Sequence, residues 1–268
     1  MLRFIHISDS HITGLDSTSK GTYSVQNDRF DLLTDAIAAL PVKVDFVIHT
    51  GDLSDDESEK SYIRAFEMLK KFTAPVYFVP GNHDDPEILF DRITTLERES
   101  LPGCHDPLTY IIPNLEYDLI LLNAPQSPAF PARGELPPNT IEALRKRITD
   151  DTRQKLIFLH YPPIFLDSKW LDNELSLING DEFRKTVALS KDNILAVFFG
   201  HGHRNMQAYN NGILYSAVGS PYRQFNAWPD SSEPEMSDNE PGYFNLVSVK
   251  GSELVIKNLA VPHLLGNK

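Results

Sequence analysis

Six short runs of apolar, β-branched or aromatic residues, at 4–7, 46–48, 76–79, 119–122, 156–159 and 195–199, dominate what this chain can become. Each has the length and composition of a buried strand. Segments with helical periodicity lie between them at 31–40, 61–72, 141–148 and 182–189, giving an early order β-α-β-α-β. After about residue 205 the pattern changes to runs at 212–215, 243–249 and 253–261 joined by turns, which reads as an antiparallel end over about 206–262. Two sheets packed face to face with helices outside accommodate both halves. The 268 residues are read as one domain with an insertion at about 165–185.

Composition narrows the partners. A formal charge of −12 argues against long nucleic acid, whose binding relies on Lys and Arg displacing counterions. A small phosphate ester is compatible with that charge, because metal ions supply positive charge locally. Cys104 is the only cysteine, so neither an intrachain disulfide nor a cysteine metal cluster can form, and any ligands must be N and O. Met1 leads directly into the first apolar run without a signal-like leader, and no apolar run approaches the roughly 20 residues of a membrane span. The expectation is a cytoplasmic protein with no membrane partner.

The polar residues fall at the ends of these strands. The first run is followed by Asp9-Ser10-His11, the second by Gly51-Asp52, and the third by Gly81-Asn82-His83-Asp84. His160 follows the fifth run and Gly200-His201-Gly202-His203 the sixth. Loops at the carboxyl ends of neighbouring strands converge on one crevice, where ligands bind. Asp-x-His and His-x-His spacing turns both side chains to the same side. One Asp in a turn is ordinary turn chemistry, but five such motifs at successive strand ends point to one site.

Imidazole mixed with carboxylate suits Mn, Fe or Zn rather than Mg or Ca. Seven ligands exceed what one open catalytic ion takes. Two ions with four ligands each fit if one carboxylate bridges, and Asp52 stands in the middle of the set.

Other polar residues read differently. His6 and His49 sit inside strand runs as core histidines, with His49 near enough to Asp52 to support it. His105 and His263 lie in loops without partners. Asp55, Asp56, Glu57 and Glu59 read as the acidic start of a helix rather than another metal site. Residues 125–138 read as a connection, and 228–241 as a solvated loop or a flap. Arg204 reads as a surface residue, with substrate contact as the alternative.

The ordered motifs D-x-H, G-D, G-N-H-D, H and G-H-x-H resemble those of the calcineurin-like metallophosphoesterase family over about the first 205 residues. That resemblance implies an α/β fold, a four-layer α/β/β/α sandwich, with a binuclear centre. One ion would be held by Asp9, His11, Asp52 and His203 and the other by Asp52, Asn82, His160 and His201. The pair would be divalent or trivalent, Mn or Fe, with Zn or Co as alternatives. His83 would contact the phosphate or protonate the leaving oxygen, and Asp84 would orient it.

Within the family, Lys169-Trp170-Leu171-Asp172 with Leu177, Asn179 and Glu182 resembles a segment of class III cyclic nucleotide phosphodiesterases and their glycerophosphodiesterase relatives. Trp170 and Leu171 are equally candidates for core or homodimer contacts. Relatives read His-His-Pro where this chain has His160-Tyr161-Pro162, a change that bears on substrate preference. The expected activity is hydrolysis of small phosphodiesters, 3',5'-cyclic nucleotides among them, by a metal-bound hydroxide. A phosphomonoesterase or glycerophosphodiesterase is the alternative, and a non-catalytic binding module the remaining one.

Overall fold

A computed structural model describes residues 1–14, 25–114, 116–237 and 239–263. The first sheet has the order β14-β13-β1-β2-β3. Its strands β1 (Leu2–Ile7), β2 (Phe46–His49) and β3 (Val76–Phe78) run parallel. The C-terminal hairpin of β13 (Gly242–Lys250) and β14 (Glu253–Val261) joins them antiparallel along β1.

The second sheet has the order β4-β5-β6-β7-β8-β10-β9. Strands β6 (Tyr117–Leu121), β7 (Gln154–Phe158), β8 (Ile194–Phe199) and β10 (Ile213–Ala217) are parallel. Strands β4 (Glu99–Ser100), β5 (Tyr110–Ile112) and β9 (Gln207–Asn210) are antiparallel additions at its edges. The expected antiparallel end is therefore corrected at β10. The apolar run at 213–215 extends the parallel core, while β9, the short pair of Gln224–Phe225 with Met236–Ser237 and the terminal hairpin run antiparallel.

Alternation along the central strands of the second sheet explains the layering. Leu119, Leu121, Leu156, Phe158, Ala196 and Phe198 join one buried cluster with the first sheet, while Ile120, Ile157, Leu159, Val197 and Phe199 join another beneath helices. The Phe4 ring bridges the sheets, meeting Phe158 and Phe198 edge-on at 5.6 and 5.5 Å. Helices α1 (Val25–Ala38), α2 (Glu59–Leu69) and α3 (Pro86–Ile93) cover the first sheet. Helices α4 (Pro138–Asp150) and α5 (Gly180–Ala188) cover the second. The layers are α/β/β/α, as expected.

Of these helices, only α3 escaped the sequence reading. Its start is marked by Asp85, whose carboxylate accepts from the Glu87 and Ile88 amides, and by Pro86 in the first turn. Eight residues show too little periodicity for detection. Part of the expected insertion is core, because Leu177 and Phe183 are buried beneath the second sheet's helices. Among the described residues, no helix is long and apolar enough to cross a membrane.

His6 is held neutral inside this core. The Asn245 amide donates to its Nδ1 at 3.4 Å, leaving Nε2–H to donate to Thr50 Oγ1 at 2.9 Å. Burial, helped by His49, lowers its pKa to about 3 from an ordinary 6.5. The unfolded chain therefore takes up a proton that the folded state refuses as pH falls between those values. His6 should withdraw about 1.4 kcal/mol of stability per pH unit in that window. Urea denaturation of chelated protein between pH 6.5 and 4 should show a slope about one proton shallower in His6→Gln than in wild type.

Candidate metal centre

The segments after β1, β2, β3, β7 and β8 meet at the seam between the sheets. Donor atoms of Asp9, His11, Asp52 and His203 lie within 4.8 Å of one another, as do those of Asp9, Asp52, His160 and His201. Asn82 Oδ1 joins the second group, 3.3 Å from His160 Nε2. All seven expected donors are thus brought together, and His83 lines the same cleft.

Backbone geometry makes this convergence possible. Asp9, His11, Asp52, His201 and His203 all adopt left-handed φ values between 43 and 64°. Such turns are unusual outside glycine, and Asp and His tolerate them better than most residues. Gly81 must remain bare, because a Cβ there would fall on the Asp52 carboxylate. The sheets are also laced directly: the His201 amide donates to both Asp9 carboxylate oxygens at 3.0 Å, and Ser220 Oγ donates to Asp9 O at 2.7 Å.

Each imidazole gives its outer nitrogen to an acceptor. His11 Nδ1 meets Asp55 Oδ1 at 3.0 Å, and His160 Nδ1 meets Thr50 O at 2.7 Å. His201 Nε2 meets Ala132 O at 2.8 Å, and His203 Nδ1 meets Arg223 O at 3.2 Å. In each neutral ring the outer nitrogen, facing an acceptor, carries the proton and the inner nitrogen a lone pair. They face one another in pairs, His11 Nε2 to His203 Nε2 at 3.1 Å and His160 Nε2 to His201 Nδ1 at 3.0 Å. Asp52 Oδ2 stands among them, 3.4 Å from His160, 3.7 Å from His11 and 3.9 Å from His201. Acceptors facing acceptors in a buried site call for cations between them, so the residues fit a metal centre.

Electrostatics agree. Burial would raise the Asp52 carboxyl, but His160, His201 and His11 hold it well below the usual range. Burial likewise would depress His160, and the Asp52 charge overrides it, raising His160 to about 9. Asp9 is pushed up to about 6, by burial first and also by Asp52. Burial lowers His201 and His203. The site therefore attracts positive charge even where burial opposes it.

Residues 2–205 match the calcineurin-like phosphoesterase family. The chain belongs to that family. Its similarity to a probable cyclic nucleotide phosphodiesterase of Coxiella burnetii is 29% identity over 83% of this chain and 84% of the relative. A probable glycerophosphodiester phosphodiesterase of Arcobacter nitrofigilis is 26% identical over 82% and 78%. Among solved structures, a dimetal phosphatase from Danio rerio superposes with a TM-score of 0.66 at 13% identity, covering 97% of this chain and 98% of the other. That likeness is one of fold.

Three details of this phosphoesterase depart from expectation. Asp84 does not hold the His83 ring; its carboxylate accepts from the amides of Leu53, Ser54 and Gly81 and from the Tyr62 hydroxyl, tying two loops together. His83 is instead anchored through Nδ1 to Asp55 O at 3.2 Å and through its amide to Asp52 Oδ1 at 2.9 Å. His49 bonds Ser10 Oγ at 2.9 Å rather than Asp52. Asp55, read as part of a helix start, is the partner of His11, while Ser58 caps the helix.

The stretch at 125–138 also does more than connect, since Ala132 O fixes His201. Arg204 is a bidentate partner of Glu240 at 2.6 and 3.0 Å. Tyr161 lies buried with its ring edge-on to His160 and His201, at 4.9 and 5.0 Å. It packs against the two histidines of the second donor group.

Asp55→Ala removes the acceptor that sets the His11 tautomer. It should weaken metal binding about 10- to 100-fold in a chelator competition titration. The circular dichroism spectrum should be unchanged; undiminished affinity would contradict this role.

Proposed function

We propose that this chain is a binuclear metallophosphoesterase that hydrolyses small phosphodiesters, 3',5'-cyclic nucleotides first among them. The observation that carries this reading is the four inward imidazole nitrogens gathered around two carboxylates, with those of His11, His160 and His201 facing Asp52 Oδ2 and that of His203 3.5 Å from Asp9 Oδ1. Asp9, His11, Asp52 and His203 would hold one ion, and Asp52, Asn82, His160 and His201 the other, with Asp52 shared. Mn or Fe suits this mixed donor set, with Zn or Co as substitutes. When bound, the ions supply positive charge for phosphate oxygens and the Lewis acidity that makes water nucleophilic at neutral pH.

The chain's own groups do the rest. With Nδ1–H donating to Asp55 O, His83 presents Nε2 to the cleft, from where its imidazolium form would donate the Nε2 proton to the leaving oxygen. Asp84 keeps the loops after β2 and β3 in register, so that the His83 amide can bond Asp52. Asp55 beside His11 adds negative charge at the cleft, which favours a diester monoanion over a monoester dianion. A glycerophosphodiester is the second reading, favoured by the name of the Arcobacter relative. The acidic chain suits small esters rather than polymers, and we place it in the cytoplasm.

Metal-reconstituted protein should turn over bis(p-nitrophenyl) phosphate at least tenfold more efficiently than p-nitrophenyl phosphate. Preference for the monoester would sink the diesterase reading. His83→Ala should lower kcat about 10²- to 10⁴-fold while metal content stays at two equivalents. Loss of metal in that variant would instead make His83 a ligand.

A further inference from the structure

The cleft of about 310 Å³ has two unlike sides. One carries the candidate metal donors and His83. The other is a wall of Trp170, Leu175, Phe225 and Met236. The wall begins at the metal centre itself: the Phe225 ring stacks on His203 at 4.5 Å and 27°, and Trp170 meets Phe225 edge-on at 4.8 Å and 87°.

The wall is built rigidly. Leu171, Leu175 and Phe225 form a small buried cluster of their own, against which Trp170 packs. The amides of Lys169 and Trp170 donate to Pro229 O and Ser231 O at 3.1 and 3.0 Å, and the Phe225 amide donates to His203 O at 3.2 Å. Pro229 and Ser231, in the stretch read from sequence as a loop or flap, thus hold the tryptophan in place. Strands β11 (Gln224–Phe225) and β12 (Met236–Ser237) pair there, setting Met236 opposite Phe225. Arg223 Nη1 donates to Met236 Sδ at 2.8 Å.

We propose that this wall is the specificity subsite and takes the base of a nucleoside phosphate, which makes the substrate a nucleotide diester rather than a glycerol-based one. The proposal rests on the phosphodiesterase reading and names the group that reading leaves open. Aromatic faces and a thioether bind a flat π-system through stacking and sulfur–aromatic contact. A glycerol moiety would need hydroxyl partners, which the four wall side chains lack. Tyr222 and Arg223 also line the cleft, but the Arg223 guanidinium lies 4.0 Å over the Tyr222 ring and donates to Met236 Sδ, while Arg204 is paired with Glu240. The Phe225–His203 contact puts the wall one ring away from the phosphate position, within the span of a sugar.

Trp170 and Trp228 are the only tryptophans, and Trp228 is exposed. In metal-loaded Trp228→Phe protein, fluorescence therefore reports on Trp170 alone. Titration with 5'-AMP should quench it saturably, whereas glycerol 3-phosphate should leave it unchanged. In steady-state kinetics, Trp170→Ala should raise KM for 3',5'-cyclic AMP about tenfold with kcat within twofold, and Trp170→Phe should retain most affinity. KM for glycerophosphoethanolamine should not move. Equal losses on both substrates, or equal quenching by both phosphates, would overturn the subsite. No turnover of either diester, with AMP-specific quenching intact, would sink the phosphodiesterase reading and still support the subsite.

Discussion

Four imidazole lone pairs and two carboxylates pointed at one another between two sheets are tolerable only with positive charge among them. Everything around the seam serves that arrangement. Outer acceptors fix each ring's tautomer, and five backbone positions take left-handed turns so that their side chains point inward. The apolar layers on either side supply the stability against which such strain and desolvation are held. Function here costs local stability, and the sandwich is large enough to supply it.

Much of this was legible in the sequence, and the reason is physical. A strand buried on both faces is written in continuous apolar residues, so β1, β2, β3, β7 and β8 stand out, and polar residues at their ends are conspicuous. The seven candidate donors could therefore be found at strand ends, the choice of Asn82 over His83 and Asp84 resting on the family resemblance. Their supporting partners could not. Three of the four outer acceptors are backbone carbonyls, of Thr50, Ala132 and Arg223, which any residue could provide. Asp55 carries a side-chain signal, but in an acidic run before a helix that signal has a sufficient local explanation.

The misreadings share one origin. Asp84 and His83 are adjacent in sequence, yet their partners lie across a loop from β2. β10 looks like any short strand until its neighbour is known, and its pairing with β8 makes it parallel. Trp170 looked like core, dimer contact or substrate segment. Its packing on Phe225, which itself stacks on His203, connects it to the centre only through tertiary structure. Local pattern specifies what a residue can do, while topology decides to whom it does it.

The position of β1 sets the order in which the molecule can be completed. It is flanked by β2 on one side and on the other by β13, whose residues lie some 240 positions later, as in the pairing of Leu2 with Val249. During synthesis β1 must wait, with one hydrogen-bonding edge unpaired, until the terminal hairpin emerges from the ribosome. An apolar strand held open that long is an invitation to pair with another chain. The nascent protein is thus vulnerable to misassembly until β13 has been made, when the candidate metal-site loops already exist but the sheet that carries three of them is not yet closed.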